Sequence, residues 1–299
     1  MKDFSFMRFR WLYFGISALA IIPGLICLAM YGLRLSIDFT GGSLLELRYQ
    51  QKEPALTVDR QKLQEFAGDS TNLISLQASG DNQVILRMPE ISNEQKDDLI
   101  KKFSPNFKTI EELRFETVGP TLGKELFQKT LAAVVIVSVG IILYVGRQFH
   151  SVKYGVCAVL AMFHDSLVLI GMFALFGKIL GAEVDVLFVT ALLTTLSFSV
   201  HDTIVVFDRI RENTRKHPSA EFETIVDASV LETLGRSINN SMTIIIMLLV
   251  LVLLGGDTIK WFGVALLVGA ITGTFSSTFT AAPLLLVWDD LARRRKARK

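Results

Sequence analysis

Cysteine is scarce in this 299-residue chain: Cys27 and Cys157 stand alone, each inside an apolar run. Two thiols so placed build neither a disulfide framework nor a zinc site, and they read as small buried hydrophobes. Net charge is equally slight. Lys and Arg number 31 against 29 Asp and Glu, a formal balance of +2 that excludes the basic footprint of a nucleic-acid binder. The polar stretch from Ser36 to Lys124 shows no metal-ligand cluster, no nucleophile elbow and no glycine-rich phosphate loop. Its acids Glu111, Glu112 and Glu116 read as solvated strand faces, so neither an enzyme nor a cofactor or metal site is expected.

What is abundant is apolar sequence: 51% of residues are hydrophobic and the mean hydropathy is +0.43, more than a soluble domain of this length needs. Six apolar runs are long enough to cross a hydrocarbon core of roughly 30 Å, which takes about 20 helical residues. They are Leu12–Met30, Leu126–Val145, Tyr154–Phe176, Val184–Phe207, Gly235–Leu254 and Trp261–Trp288. The first exceeds a signal-peptide core and no small-residue cleavage pattern follows it, so a retained helix is expected. Short-loop basic residues mark the cytoplasmic side. Lys2, Arg8, Arg10, Arg147, Lys153, Arg209, Arg211, Arg215 and Lys216 fall on one side with the Arg293–Lys299 tail, while the opposite short loops carry Lys178 and Lys260. Both termini are therefore expected in the cytoplasm of an inner-membrane protein.

Between the first two spans the pattern alternates as strand, helix, strand, strand, helix, strand. Ser43–Tyr49 follows the Gly41-Gly42 turn as a strand, Val58–Phe66 has helical spacing, and Leu73–Ala78 and Gln83–Met88 flank a hairpin signal at residues 79–82. Ser92 caps a second helix to Phe103, and Thr109–Val118 reads as the last strand. That order is the ferredoxin-like motif. The expected fold is a polytopic α-helical membrane protein with one external ferredoxin-like α+β domain. Its parts are an N-terminus and first span over 1–35, the external domain over 36–125, a five-span bundle over 126–288 with a cytoplasmic loop at about 208–234, and a basic tail over 289–299.

Ionisable groups inside spans cost roughly 2.5 to 3.5 kcal/mol on insertion scales and so point to a partner or a task. Asp165 lies about 18 Å into its span from Lys153, and Asp202 about 10 Å in from Arg209, at a rise of about 1.5 Å per residue. Thr195, Ser199 and Asp202 share one helix face with Ala191 above them. Arg236, Asn239, Asn240 and Thr243 line one side of the fifth span, and Gly269, Gly273 and Ser277 form a small-residue ridge on the sixth. Structural readings stand beside these: Arg236 as an interfacial anchor, and Asp165 or Asp202 as helix-pairing groups. The His164-Asp165 and His201-Asp202 pairs read as coincidence and not as a metal site. Phe222, Ile225, Val226, Val230 and Leu234 recur at helical spacing, either as an amphipathic surface helix or as a connector packed under the bundle.

The segment Ile37-Asp38-Phe39-Thr40-Gly41-Gly42 resembles the one that opens the external domain of the SecD/SecF family of protein-export membrane proteins. The run from Val200 through His201, Asp202, Asp208, Arg209, Arg211 and Asn213 is similar to the same family, as are Glu232–Ser237 and Gly255-Gly256. The resemblance implies a six-helix half of an RND-type transporter fold that pairs with SecD and joins the SecYEG channel, with YajC as a further partner. It implies an auxiliary role in which the proton gradient helps translocating preproteins leave the channel late in export. It also implies proton passage at Asp202 and Arg236, together with an Asp supplied by SecD, and Asp165 joins them here by its depth. The competing readings are an RND-type transporter half for small molecules or lipids, and a passive scaffold. Six spans with one small domain favour the export subunit.

Overall fold

A computed structural model of the chain describes residues 5–51, 74–79, 82–149 and 151–297. They divide into two units, a bundle formed by Met1–Arg34 with Ala132–Lys299 and a smaller unit, Leu35–Leu131.

The smaller unit begins with a short helix α2 (Ile37–Thr40), started by Ser36, whose Oγ accepts from the Asp38 amide at 3.2 Å. Strand β1 (Gly42–Gln51) follows, then β2 (Ser75–Ser79), β3 (Gln83–Met88), helix α3 (Asn93–Phe103) and β4 (Phe107–Val118). The sheet order is β2-β3-β1-β4 with antiparallel neighbours throughout. β1 thus lies between two strands that come later in the chain, as a split β-α-β arrangement demands. The expected helix at Val58–Phe66 and the turn at residues 80–81 lie outside the described residues. Alternation places Leu45, Leu47, Tyr49, Leu86 and Met88 on the face covered by Leu99 and Phe103 of α3. A reciprocal capping box starts α3: the Gln95 amide donates to Ser92 Oγ at 3.3 Å, and Gln95 Oε1 accepts from the Ser92 amide at 2.9 Å.

The bundle contains α1 (Arg10–Tyr31), α5 (Val152–Ile179), α6 (Val186–Lys216), α7 (Phe222–Leu254), α8 (Asp257–Ser276) and α9 (Ala282–Ala297), while α4 (Pro120–Phe149) carries the chain from one unit to the other. Among the described residues, six segments are long and apolar enough to cross a membrane: Phe6–Tyr31, Pro120–Phe149, Val152–Ile179, Val186–Lys216, Phe222–Leu254 and Ile259–Arg295. The last joins α8 to α9 through one π turn, Ser277–Ala281.

The loop expected at about 208–234 is not a loop. α6 runs on to Lys216 and α7 starts at Phe222, leaving five residues, His217 to Glu221, between them. Charge spacing explains the extension of α6. Arg209 meets Glu212 at 2.7 Å, Arg211 meets Asp208 at 3.4 Å and Lys216 meets Glu212 at 2.7 Å, all three or four residues apart on helix faces. Phe222, Val226 and Val230 are buried in the main bundle core with Phe149, Tyr154 and Phe207. The amphipathic stretch is thus a packed one, continuous with the fifth span.

Candidate functional site

The stripe on α6 is buried: Thr195, Ser199 and Asp202 are 5%, 1% and 5% exposed. It meets the small-residue ridge of α8 step for step. A Cβ built on Gly269 would lie 1.9 Å from Thr195 Cγ2, and one on Gly273 would lie 3.4 Å from Ser199 Cα. One turn further, Ser277 Oγ donates to Asp202 Oδ2 at 2.7 Å. The glycines therefore set the helix separation at which a serine reaches the carboxylate. Ser237 of α7 donates to the same oxygen at 2.5 Å.

Asp165 of α5, 3% exposed, belongs to the same layer. Ser276 Oγ donates to its Oδ2 at 2.6 Å, and His164 Nδ1 lies 2.9 Å from its Oδ1. His164 is itself buried, and its Nε2 has no partner among the described residues; neither have the buried hydroxyls of Ser199 and Thr203. Two consecutive serines thus serve carboxylates on two different helices, at the point where α8 passes into the π turn. A π turn inserts a residue into the helical register and re-aims side chains, and such turns are frequent at functional sites. One turn on, Thr280 Oγ1 lies 3.2 Å from Ser17 Oγ of α1.

The expected Asp202–Arg236 charge pair is not formed. Arg236 is exposed and enters no ion pair within 4 Å among the described residues, because its neighbour Ser237 holds the position facing Asp202. One residue is about 100° around a helix, so both cannot face the same carboxylate. Asn239, Asn240 and Thr243 are exposed on the same outer side of α7. An exposed polar stripe on α6 escaped the sequence reading: Thr190, Thr194, Ser197 and His201, at i, i+4, i+7 and i+11. Thr190 and Thr194 return their hydroxyl protons to carbonyls of their own helix. Ser237, Ser276, Ser277 and His164 were also missed as partners of the carboxylates. The Ser276-Ser277-Thr278 run inside an apolar span was the available signal. A cavity of about 300 Å³ between α7 and α8 has Ser237, Thr274 and Thr278 in its wall. No group of three His, Cys, Asp or Glu suited to a metal ion occurs among the described residues.

A family model for the C-terminal region of the protein export membrane proteins SecD/SecF matches residues 98–291, and a model for the SecD/SecF GG motif matches residues 28–53. The chain belongs to the SecD/SecF family. The SecF subunit of the protein translocase from Thermobaculum terrenum is 43% identical over 298 residues, covering 95% of this chain and 93% of that protein. The SecDF subunit of Bacillus subtilis is 33% identical and covers 96% of this chain but 38% of itself. The crystal structure of SecDF from Thermus thermophilus, described as translocon-associated, superposes with a TM-score of 0.83 at 31% identity, covering 97% of this chain and 39% of that one. This SecD/SecF member thus spans nearly all of the single-subunit SecF relative and about two fifths of the fused SecDF chains.

Within the family motif, Gly41 and Gly42 have φ of 72° and 114°, which a side chain would strain, and they also lack room for one. A Cβ on Gly41 would lie 2.7 Å from Pro120 Cα, and one on Gly42 2.8 Å from the Met88 carbonyl oxygen. Asp38 is half-buried in α2 just before them. The α6 motif residues are fasteners between helices: Asn213 Nδ2 donates to Ser229 Oγ and to Glu232 Oε2, each at 2.9 Å, and Arg209 also binds Glu232.

Proposed function

We propose that the chain is the SecF-type subunit of a bacterial Sec protein translocase, a non-enzymatic partner of SecD that couples proton movement to late steps of preprotein export. The observation that carries this reading is the buried Asp202, bound by Ser237 and Ser277 from two other segments of the bundle in a chain 43% identical to a translocase SecF. A carboxylate so held changes protonation without losing its partners, since a hydroxyl both donates to a carboxylate and accepts from a carboxylic acid.

The outer polar faces of α6 and α7 are where SecD packs in this reading. Polar side chains facing lipid are costly, and Arg236 with His201 calls for a membrane-embedded partner carrying a carboxylate. Fused SecDF relatives, in which both halves share one chain, support SecD as that partner. SecYEG, YajC and the translocating preprotein complete the expected assembly, with both termini cytoplasmic and the α/β unit on the opposite side of the inner membrane.

The deciding experiment compares preprotein export in membranes bearing wild-type protein or Asp202→Asn, with and without an imposed proton gradient. The variant should copurify with SecD at wild-type levels and export at the rate wild type shows without a gradient. An Asp202→Asn protein that keeps its full response to the gradient contradicts the coupling role.

A further inference from the structure

The residues that hold the two buried carboxylates are neighbours in sequence: Ser276 binds Asp165 and Ser277 binds Asp202. Each hydroxyl has a second acceptor within reach, the carbonyl three residues back. Ser276 Oγ lies 3.3 Å from the Gly273 carbonyl oxygen, and Ser277 Oγ 3.1 Å from that of Thr274. A serine has a single proton to donate. While its aspartate is ionised, that proton points to the carboxylate. Once the aspartate is protonated, the acid donates to the serine oxygen and the serine proton turns to its own carbonyl. No hydrogen bond is lost in either state, but both serines draw on the same helical turn, next to the π segment. A shift that favours one serine's arrangement is felt by the other through one peptide unit.

We propose that Ser276 and Ser277 are positioning residues that couple the proton occupancy of Asp165 to that of Asp202, making the two carboxylates one coupled site. This rests on the reading of Asp202 as the proton-handling group. His164 is the remaining member on the Asp165 side, with Nδ1 on the carboxylate and Nε2 buried without a partner among the described residues. The titratable groups on the elements packed around Asp165 are few. α5 itself adds Lys153, Tyr154 and Cys157 toward one end and Lys178 toward the other. α6 brings Asp202 and His201 on neighbouring positions and its charged end from Asp208 onward, and α8 brings Lys260 toward its far end. α1 brings Tyr13, Cys27 and Tyr31 with Arg10 at its start, the π turn brings none, and α9 brings Asp289, Asp290 and the Arg293–Arg295 cluster. Among the described residues Asp202 is thus the other carboxylate held by this serine pair, and the peptide bond between the serines joins the two hydrogen bonds.

The test is infrared difference spectroscopy of the full chain in lipid vesicles through a pH titration. The protonated-carboxyl band of Asp202 is the one lost in Asp202→Asn. Introducing Asp165→Asn should move the midpoint of that band by about one unit, the size at which two groups titrate as a pair. In a Ser276→Cys/Ser277→Cys background, which keeps side-chain volume but weakens the hydrogen bonds, Asp165→Asn should move it by less than half as much. An equal shift in both backgrounds overturns the proposal, since the coupling would then run through space. No shift from Asp165→Asn overturns it as well while leaving Asp202 as a proton carrier. Absence of any titrating band for Asp202 removes the underlying reading and the proposal together. Single Ser276→Cys and Ser277→Cys chains, each expected to halve the coupling or more, stand in where the double variant does not fold.

Discussion

At the residue scale, the geometry turns on contacts too close for any larger side chain. Gly269→Leu puts carbon where Thr195 Cγ2 already lies, so α6 and α8 must separate. Overpacking of this kind costs about 1–3 kcal/mol. The expected result is a lower thermal-unfolding midpoint in detergent together with weakened gradient-driven export, because separation also withdraws Ser277 from Asp202. Ser237→Ala should behave differently: export falls, while unfolding shifts little, since Ser277 still satisfies the carboxylate oxygen. A variant with normal export and normal unfolding would show that Ser237 does no more than fill space. The polar stripe Thr195, Ser199 and Asp202 and the small-residue ridge Gly269, Gly273 and Ser277 were each legible in the sequence from helical spacing, though not that one packs on the other. The partners of the carboxylates were not. Hydroxyls within membrane helices commonly return their protons to their own backbone, as Thr194, Thr243 and Thr272 do here, so sequence does not distinguish a serine that reaches across from one that does not.

At the element scale, the strands and α3 of the α/β unit were readable because alternation, a hairpin and a serine helix cap are local signals. Ser92 holds the start of α3 by the reciprocal bonds described above, so Ser92→Ala should remove about 1 kcal/mol. For a unit of this size that lowers the melting midpoint by roughly 4–8 °C, measurable by circular dichroism on an isolated 36–124 fragment. An unchanged midpoint would mean the cap contributes nothing; absence of any cooperative melt would mean the unit depends on the rest of the chain. The continuity of α7 was harder to see, because its polar and apolar halves have the composition of two different elements. What joins them is burial of Phe222, Val226 and Val230 in the bundle core, a tertiary fact absent from any local window. The Asp202–Arg236 pairing was misjudged for a similar reason: Ser237, one helical step of about 100° from Arg236, is the residue that faces Asp202.

At the scale of the whole molecule, the surface acids of the sheet are expected to be dispensable. Glu112 bonds the partly buried Lys96 at 2.8 Å and holds its ammonium above the ordinary lysine range, while Glu111 meets Arg48 at 3.3 Å in an exposed pair of the kind that adds little. Alanine at Glu111, Glu112 or Glu116 should therefore leave export within about two-fold of wild type, given the 0–1 kcal/mol typical of such pairs. Loss of export from one of them in a folded protein would assign the sheet a chemical contact with cargo. The outer polar faces make the complementary prediction. Cysteines placed at Ser197 and Asn240 should crosslink to SecD in membranes, whereas cysteines at Val137 or Leu253, equally exposed but apolar, should not. Crosslinking from the apolar positions alone would put the partner on a different side.

α7 has 33 residues, about 50 Å of unbroken helix, against a hydrocarbon core of roughly 30 Å. Its far portion is grasped by the start of the chain: the Met7 amide donates to Asp227 Oδ1 at 2.7 Å, and Arg10 bridges Glu223 and Asp290 at 3.3 Å each. Ser237 lies 14 residues, about 21 Å, along the same rod from Glu223. A stiff rod gripped at both places acts as a tie bar. On the proposed reading, a displacement of Ser237 that followed a change of proton at Asp202 would be carried along this rod to the clasp at Met7 and Arg10.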